Sequence, residues 1–330
     1  MKALLEPIKE IARFDELFRD LKKGTAGVTV ISGCLESQKA HMIAGLSEDA
    51  PVRLLIAENE LKAKELYEDY RLYDAETLYY PAKDLIFYQA DIHGNLLIRQ
   101  RLQVIQALLE RKEVTIITSV GGCMDFLLPL GVFEKHCIHL RNDSEFDLDK
   151  IRKELVRLGY ESTFQVESTG QFSVRGGILD IYPLTEQNPI RIELWGDEID
   201  SIRSFDAESQ RSIENLEEIT IYPASELILT EDTIARGVKA IKKEAKAQST
   251  KFRDKMMTEE AARIRHAAEE ICDQIGEAKF CRERSSIFII FIRRPSRFLS
   301  ICRRTAAFSS MSRTASSSVP MRWKQSFRRA

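Results

Sequence analysis

The chain has 330 residues, 44% of them apolar and 30% charged, with a formal net charge of −2, enough length and apolar content for two or more packed units and too much for a disordered chain. No apolar run approaches the roughly 18 residues of a membrane span, and the start, MKALLEPIKEIARF, places acidic residues in an amphipathic pattern unlike a secretory leader, so a cytoplasmic protein is expected. The small net charge hides an asymmetry: residues 281–330 carry twelve basic residues against one acid, Glu283, for +11, which leaves −13 on residues 1–280.

The first third alternates short apolar strands with helices. GVTVISG (27–33) is followed by a helix from about Ser37, then VRLLIA (52–57), a helix through ELKAKELYEDYRLY (60–73), ETLYYP (76–81), a longer helix through IRQRLQVIQALLERK (98–112) and VTIITSV (114–120). Such alternation predicts a parallel sheet covered on both faces.

Between the first strand and its helix, Gly33-Cys34-Leu35-Glu36-Ser37-Gln38-Lys39-Ala40 has the spacing of the phosphate-binding GxxxxGK[ST] loop. Two of its chemical requirements are missing. Gln38 stands where glycine lets backbone N–H groups curl toward phosphates, and Ala40 offers no hydroxyl to magnesium. Glu36 adds a negative charge where an anion would lie, and Lys39 alone does not restore the site. The loop is therefore expected to be a structural relic.

From about Met124 the pattern changes. A helix through LDKIRKELVRLGYE (148–161), ended near Gly159, precedes FQVES (164–168), GQFSVRGGILDIYP (170–183) and IRIELWGDEIDSIRSFD (190–206), read as strands turning at Gly170, Gly176-Gly177 and Gly196-Asp197. This predicts a small antiparallel α+β insert. EEITIYPA (217–224) is expected to return toward the first sheet, and charged helices fill 230–279, opened by Thr230 with Glu231 and Asp232 in the first turn.

Within the insert, arginine beside aromatic residues fits a partner-docking surface, because both residue types are enriched in binding hot spots. Arg175 is the first candidate, then Phe172 and Tyr182, then Arg191. The alternatives are a solvated turn arginine or a partner of Glu193 for Arg175, and ordinary sheet packing for Phe172 and Tyr182. No catalytic residue is assigned. His93 has no companion at ligand spacing, Glu58 and Glu60 read as a helix start, and the six cysteines (Cys34, Cys123, Cys137, Cys272, Cys281, Cys302) form no CxxC pair, so reduced structural thiols and no metal are expected.

After Phe280 the composition breaks into an arginine- and serine-rich stretch nearly free of lysine and without helical periodicity. Codons rebuilt from the last base of one residue and the first two of the next permit Phe-Phe-Asp-Glu-Pro from Phe308 onward, the shape of a strand ending in the paired carboxylates of a helicase-type domain. A tail that is out of frame and disordered is the expectation; a genuine basic nucleic-acid arm is the alternative.

Residues 33–40, AENELKAKELYEDY (57–70), YYPAKDLIFYQADIHGNLLIRQRLQVIQALLERK (79–112), RGGILDIYP and WGDEIDSIRSFDAESQRS (195–212) together resemble the amino-terminal, excinuclease-B-like region of bacterial transcription-repair coupling factors. The resemblance covers most of residues 1–280. It implies a degenerate helicase-like (P-loop NTPase-type) parallel-sheet domain interrupted by the insert: 1–125 the first part, 126–212 a domain that interacts with the excinuclease protein UvrA, 213–280 the second part with charged helices, and 281–330 the tail. The implied role is a protein-binding module that recruits UvrA, the damage-recognition component of the excinuclease, to stalled RNA polymerase. Arg175 gains most from it, since an arginine recurs there in both related proteins. Ser162 and Ser173, by contrast, stand where UvrB is basic. ATP, magnesium, RNA polymerase and DNA belong to later domains of the full-length family, an ATP-dependent translocase. The competing class is an ATP-dependent helicase or excinuclease-B-type enzyme, which Gln38 and Ala40 disfavour.

Overall fold

A computed structural model describes residues 2–11, 13–22, 31, 34–83, 91–228, 230–276, 296–298 and 308–311. The chain opens with α1 (Lys2–Leu5), a 3-10 turn (Glu6–Glu10) and α2 (Phe14–Lys22). α3 (Glu36–Leu46), β1 (Val52–Ala57), α4 (Glu60–Tyr70), β2 (Leu78–Tyr80), α5 (Asp91–Leu109), β3 (Val114–Ser119) and α6 (Val120–Met124) follow in the order that strand–helix alternation predicts. Next come β4 (Phe126–Leu127), α7 (Leu130–Lys135), β5 (Ile138–Arg141) and α8 (Leu148–Arg157). A run of strands succeeds them: β6 (Glu161–Ser162), β7 (Gln171–Arg175), β8 (Ile178–Ile181), β9 (Ile190–Trp195), β10 (Glu198–Phe205), β11 (Ser212–Leu216) and β12 (Glu218–Ile221). Two long helices, α9 (Glu231–Asp254) and α10 (Thr258–Gly276), and two short strands, β13 (Ser296–Arg297) and β14 (Phe308–Met311), complete the described residues.

The architecture is mixed α/β, and the chain divides into two compact units. The first comprises residues 1–82, 110–125 and 298–330 and holds a parallel sheet in the order β14-β1-β3-β2. Every residue of β3 is buried, and in β1 only Arg53 is not. Such apolar runs are the mark of strands covered on both faces. Ala40 and Ala44 of α3 and Tyr70 of α4 pack with Leu5, Leu55 and Ile117 in one cluster of this core. α4 begins where the Asn59 side chain accepts the Lys62 N–H (2.9 Å), a cap that answers one of the helix's orphan donors. The expected strand at 27–33 lies largely outside the described residues. The tail, expected to be disordered, contributes β14, which pairs with β1 from Arg53↔Phe308 to Ile56↔Met311. Ladder bonds are made by backbone groups, which places few demands on side chains at a sheet edge.

The second unit comprises residues 83–109 and 126–297. Its main sheet runs β11-β10-β9-β8-β7-β6, antiparallel except for the β6–β7 pair. The hairpins turn at Gly176 (φ 60°) and Gly196 (φ 64°), left-handed positions that glycine occupies without strain. Two sequence expectations are corrected. FQVES is a loop, because side chains replace the ladder there: Gln171 Oε1 accepts the Glu167 and Ser168 N–H groups (3.0 Å each), and the Ser173 hydroxyl donates to the Phe164 carbonyl (2.7 Å). EEITIYPA joins no parallel sheet, since β12 pairs antiparallel with β5.

α5 also groups with this unit rather than with residues 1–82. The physical tie is Arg101, fully buried in α5, whose Nε donates to Glu226 Oε1 at 2.5 Å, while Lys83 Nζ reaches Glu226 Oε2 at 2.5 Å. Burial pushes the Glu226 carboxyl up, and the two cations outweigh it, holding the group below its ordinary range. α9 starts at Thr230, whose hydroxyl accepts the Thr233 N–H (3.3 Å), and packs against α10.

Candidate docking face

Side chains along a strand alternate between faces, so the register of β7 to β10 sorts them. Phe172↔Ile181↔Ile190 and Val174↔Leu179↔Ile192↔Ile202 form two apolar rows on one face. The other face carries Ser173↔Asp180↔Arg191↔Arg203 and, beside it, Arg175↔Ile178↔Glu193↔Ser201. A sheet with one apolar and one charged face buries the first and opens the second.

Asp180 organises the charged face. It is only 1% exposed, and it accepts hydrogen bonds from Arg191 Nε (2.6 Å) and Nη2 (2.9 Å) and from Arg175 Nη2 (2.6 Å). Arg191 lies over the buried Phe205 ring, 4.4 Å from its centroid, and donates also to Gln210 Oε1 (3.0 Å). The hydrogen bond to Asp180 raises the Arg191 pKa against the opposing effect of burial, so its charge is secure. Glu193 accepts from Arg203 and from the Ser201 hydroxyl (3.3 Å). Among the described residues, Arg203 Nε on this face and the Ser204 hydroxyl on the opposite one are buried without a hydrogen-bond partner.

The four predicted docking residues separate here. Arg175 and Arg191 are brought together by Asp180, with 38% and 15% of their side chains exposed. The partner of Arg175 is Asp180, not Glu193. Phe172 is fully buried on the apolar face and is a core residue, because its parity along β7 is opposite to that of Arg175. Tyr182, half-buried, spends its hydroxyl on the Gln187 carbonyl (2.7 Å).

Two exposed aromatics were missed. Trp195, at the tip of the β9–β10 hairpin, is 83% exposed, and its parity with Arg191 and Glu193 puts it on the charged face. Phe164 is 85% exposed in the loop whose backbone is held by Ser173, a side chain of that same face. The signal available for Trp195 was a tryptophan immediately before a Gly-Asp turn, a place where a large apolar ring has little core to enter.

The loop resembling a phosphate site has closed on itself. Gln38 Oε1 accepts the Leu35 N–H (3.1 Å), and the Leu35 carbonyl accepts the Gln38 N–H (3.0 Å), so a loop amide is answered by the side chain that replaces glycine. Ala40 is buried in the core cluster with Leu5 and Leu55, while Lys39 is half-buried; Gly33 lies outside the described residues. Glu60 also serves structure, accepting from the Tyr79 hydroxyl (2.6 Å) and the Ala82 N–H (3.0 Å). Burial pushes the Cys123 thiol up to about 12 and the Cys137 thiol up to about 11, which makes both poor nucleophiles. Among the described residues no group of His, Cys, Asp or Glu is placed to hold a metal ion, and no helix is long and apolar enough to cross a membrane.

Residues 138–227 match the family model of the UvrB interaction domain. Over a longer span the chain is similar to the transcription-repair-coupling factor of Staphylococcus aureus (strain USA300), 38% identical over 240 residues that cover 71% of this chain and 20% of the relative. The transcription-repair-coupling factor of Bacillus subtilis (strain 168) is 33% identical over 276 residues, 78% of this chain and 23% of that protein. The chain belongs to the transcription-repair-coupling factors. It spans about a fifth of the length of the curated relatives it matches. The interaction domain of this transcription-repair-coupling factor segment runs from the first residue of β5 to Leu227. It thus contains the whole charged face, Trp195, Phe164 and the buried Glu226.

Proposed function

We propose that this segment is a protein-binding module of transcription-coupled excision repair, which docks UvrA on its open charged face and so recruits it to RNA polymerase stalled at DNA damage. The observation that carries the reading is the Asp180-centred arginine pair beside Trp195 and Phe164, within a domain whose family is named for interaction. Arginine and tryptophan, prepositioned on rigid strands and left uncovered, are what a hot spot requires. The first unit is a helicase-like relic, and the segment acts without ATP or magnesium and catalyses no reaction, consistent with Gln38 answering its own loop amide.

Calorimetric titration of the full chain with purified UvrA tests this. Trp195→Ala is expected to weaken binding by about 2 kcal/mol and Arg175→Ala by about 1 kcal/mol or more. Trp195→Ala should leave the melting temperature unchanged, since the ring touches little of its own chain. Wild-type chain that fails to bind, or both variants binding as wild type does, would overturn the reading. A rise in melting temperature on adding millimolar ATP with magnesium would favour the nucleotide-driven alternative instead.

A further inference from the structure

The α9–α10 hairpin has a seam and two outer faces. Gly237, Ile241 and Ser249 of α9 are buried, and the Ser249 hydroxyl donates to the Ala261 carbonyl of α10 (3.1 Å). On the far side of α9, Arg236, Lys239, Lys243, Lys246 and Arg253 succeed one another at steps of three, four, three and seven residues. Those steps keep them on one face over about 25 Å of helix. All five are exposed, and among the described residues none is joined to a carboxylate. Glu244 is the one acid between Arg236 and Arg253, and its carboxylate accepts from Gln248 (2.8 Å).

An ordinary solvated helix alternates its charges so that neighbours at i,i+4 attract. Here Lys239 and Lys243 are like charges at that spacing, as are Lys242 and Lys246, so the helix bears repulsion that no local partner offsets. α10 differs: its outer residues Glu259, Glu269, Glu270 and Asp273 are acidic, and Arg263 pairs with Glu259 (4.0 Å). The exposed residues between the α9 cations include Ala240, Ala247 and Thr250, whereas the large apolar side chains of this stretch, Val238, Ile241 and Phe252, are half-buried or buried. A protein partner would need such anchors. A polyanion needs only charge, regularly spaced, on a surface smooth enough to approach, and lysine suits it as a point charge without geometric demands.

We infer that the exposed face of α9 is a track for the phosphate backbone of duplex DNA, bound without regard to sequence. It is a different element from the sheet that carries the docking face, and its residues are five cations at about 5 Å axial intervals over the first three steps. Phosphate contacts of this kind position a protein on a duplex and carry no base readout.

The test is anisotropy of a fluorescein-labelled duplex of about 30 base pairs with the full chain, from about 50 to 200 mM NaCl. Wild type should bind at low salt. The variant Lys239→Ala/Lys243→Ala/Lys246→Ala should lose at least tenfold in affinity, and its log K against log salt slope should shrink by about 2 to 3, roughly 0.9 for each phosphate contact removed. Alanine is the better helix former, so this variant keeps or raises the melting temperature and the loss reports contact rather than unfolding. Arg303→Ala/Arg304→Ala, in the basic tail, should reduce affinity less than the α9 variant does. The inference is overturned by a wild type that ignores the duplex at low salt, by an α9 variant with unchanged affinity and slope, or by polyglutamate binding as tightly as DNA, which would point to an acidic protein surface.

Discussion

The two sheets handle charge in opposite ways. In the parallel sheet, β1, β2 and β3 contain one charged residue, Arg53, and it is fully occupied: it donates to Asp74 (3.1 Å), to the Thr115 hydroxyl (3.1 Å) and to the Ser47 and Glu48 carbonyls (2.8 and 3.2 Å). In the six-stranded sheet, arginines and carboxylates stand in register across four strands, and only Asp180 is sealed beneath them. The cause is topological. Parallel strands joined by crossover helices are covered on both faces, whereas an antiparallel meander covers one and leaves the other free to meet a partner. A buried ion pair is then a structural joint, and an open one belongs to the candidate docking face.

The strongest way to break that distinction is at Glu226, a sealed carboxylate on which Arg101 and Lys83 converge. Glu226→Ala removes the carboxylate that the fully buried Arg101 and Lys83 share and is expected to cost about 3 to 5 kcal/mol, read as a drop in melting temperature and urea midpoint. The pH dependence has a definite sign. Because the folded carboxyl titrates below its ordinary value of 4.5, its contribution is complete above that value and is lost as pH falls through the lower folded pKa. The gap between wild type and Glu226→Gln should therefore narrow in acid, and a gap that stays constant down to about pH 2 would contradict the pairing.

Asp74→Ala sharpens the comparison within the parallel sheet. It leaves the fully buried Thr115 hydroxyl without its carboxylate acceptor (2.7 Å) and Arg53 with only the Thr115 hydroxyl and the Ser47 and Glu48 carbonyls, its charge no longer paired. A loss of about 2 kcal/mol is expected by thermal unfolding. A neutral result would mean that Arg53 and Thr115 find other partners, and that the sealed site is less of a joint than its geometry indicates.

How legible this was in the sequence depended on period and turn chemistry. VRLLIA, VTIITSV and the hairpins around Gly176 and Gly196 were plain, because unbroken apolar runs and glycine turns are local signals. FQVES looked like a strand and is not, since Gln171 and Ser173, several residues on, capture its backbone. The seat of α5 was illegible: its ties to the second unit include an ion pair across 125 residues of sequence. At the candidate docking face the arginines were readable and the parity of Phe172 was not, because face assignment needs the register of β7 against β8. Trp195 and Phe164 were overlooked for the converse reason, that exposure of a large ring contradicts the usual expectation of burial and shows only in the fold.

The smallest expected effect is also the most direct test of the open face. Glu193 and Arg203 form an ion pair with 29% and 27% of their side chains exposed, in a sheet face with solvent on one side. A half-buried pair that water still reaches contributes little, since solvent and salt screen the attraction and two long side chains lose freedom to make it. Glu193→Ala should therefore cost about 0.5 kcal/mol in stability, and less at high salt. Its larger consequence is expected for the proposed docking: Arg203, released from Glu193 and with a buried Nε that has no partner among the described residues, becomes a free cation two rows from Trp195. If Glu193→Ala destabilises the fold as much as Asp74→Ala does, the open face is a structural joint after all, and the division of labour between the two sheets fails.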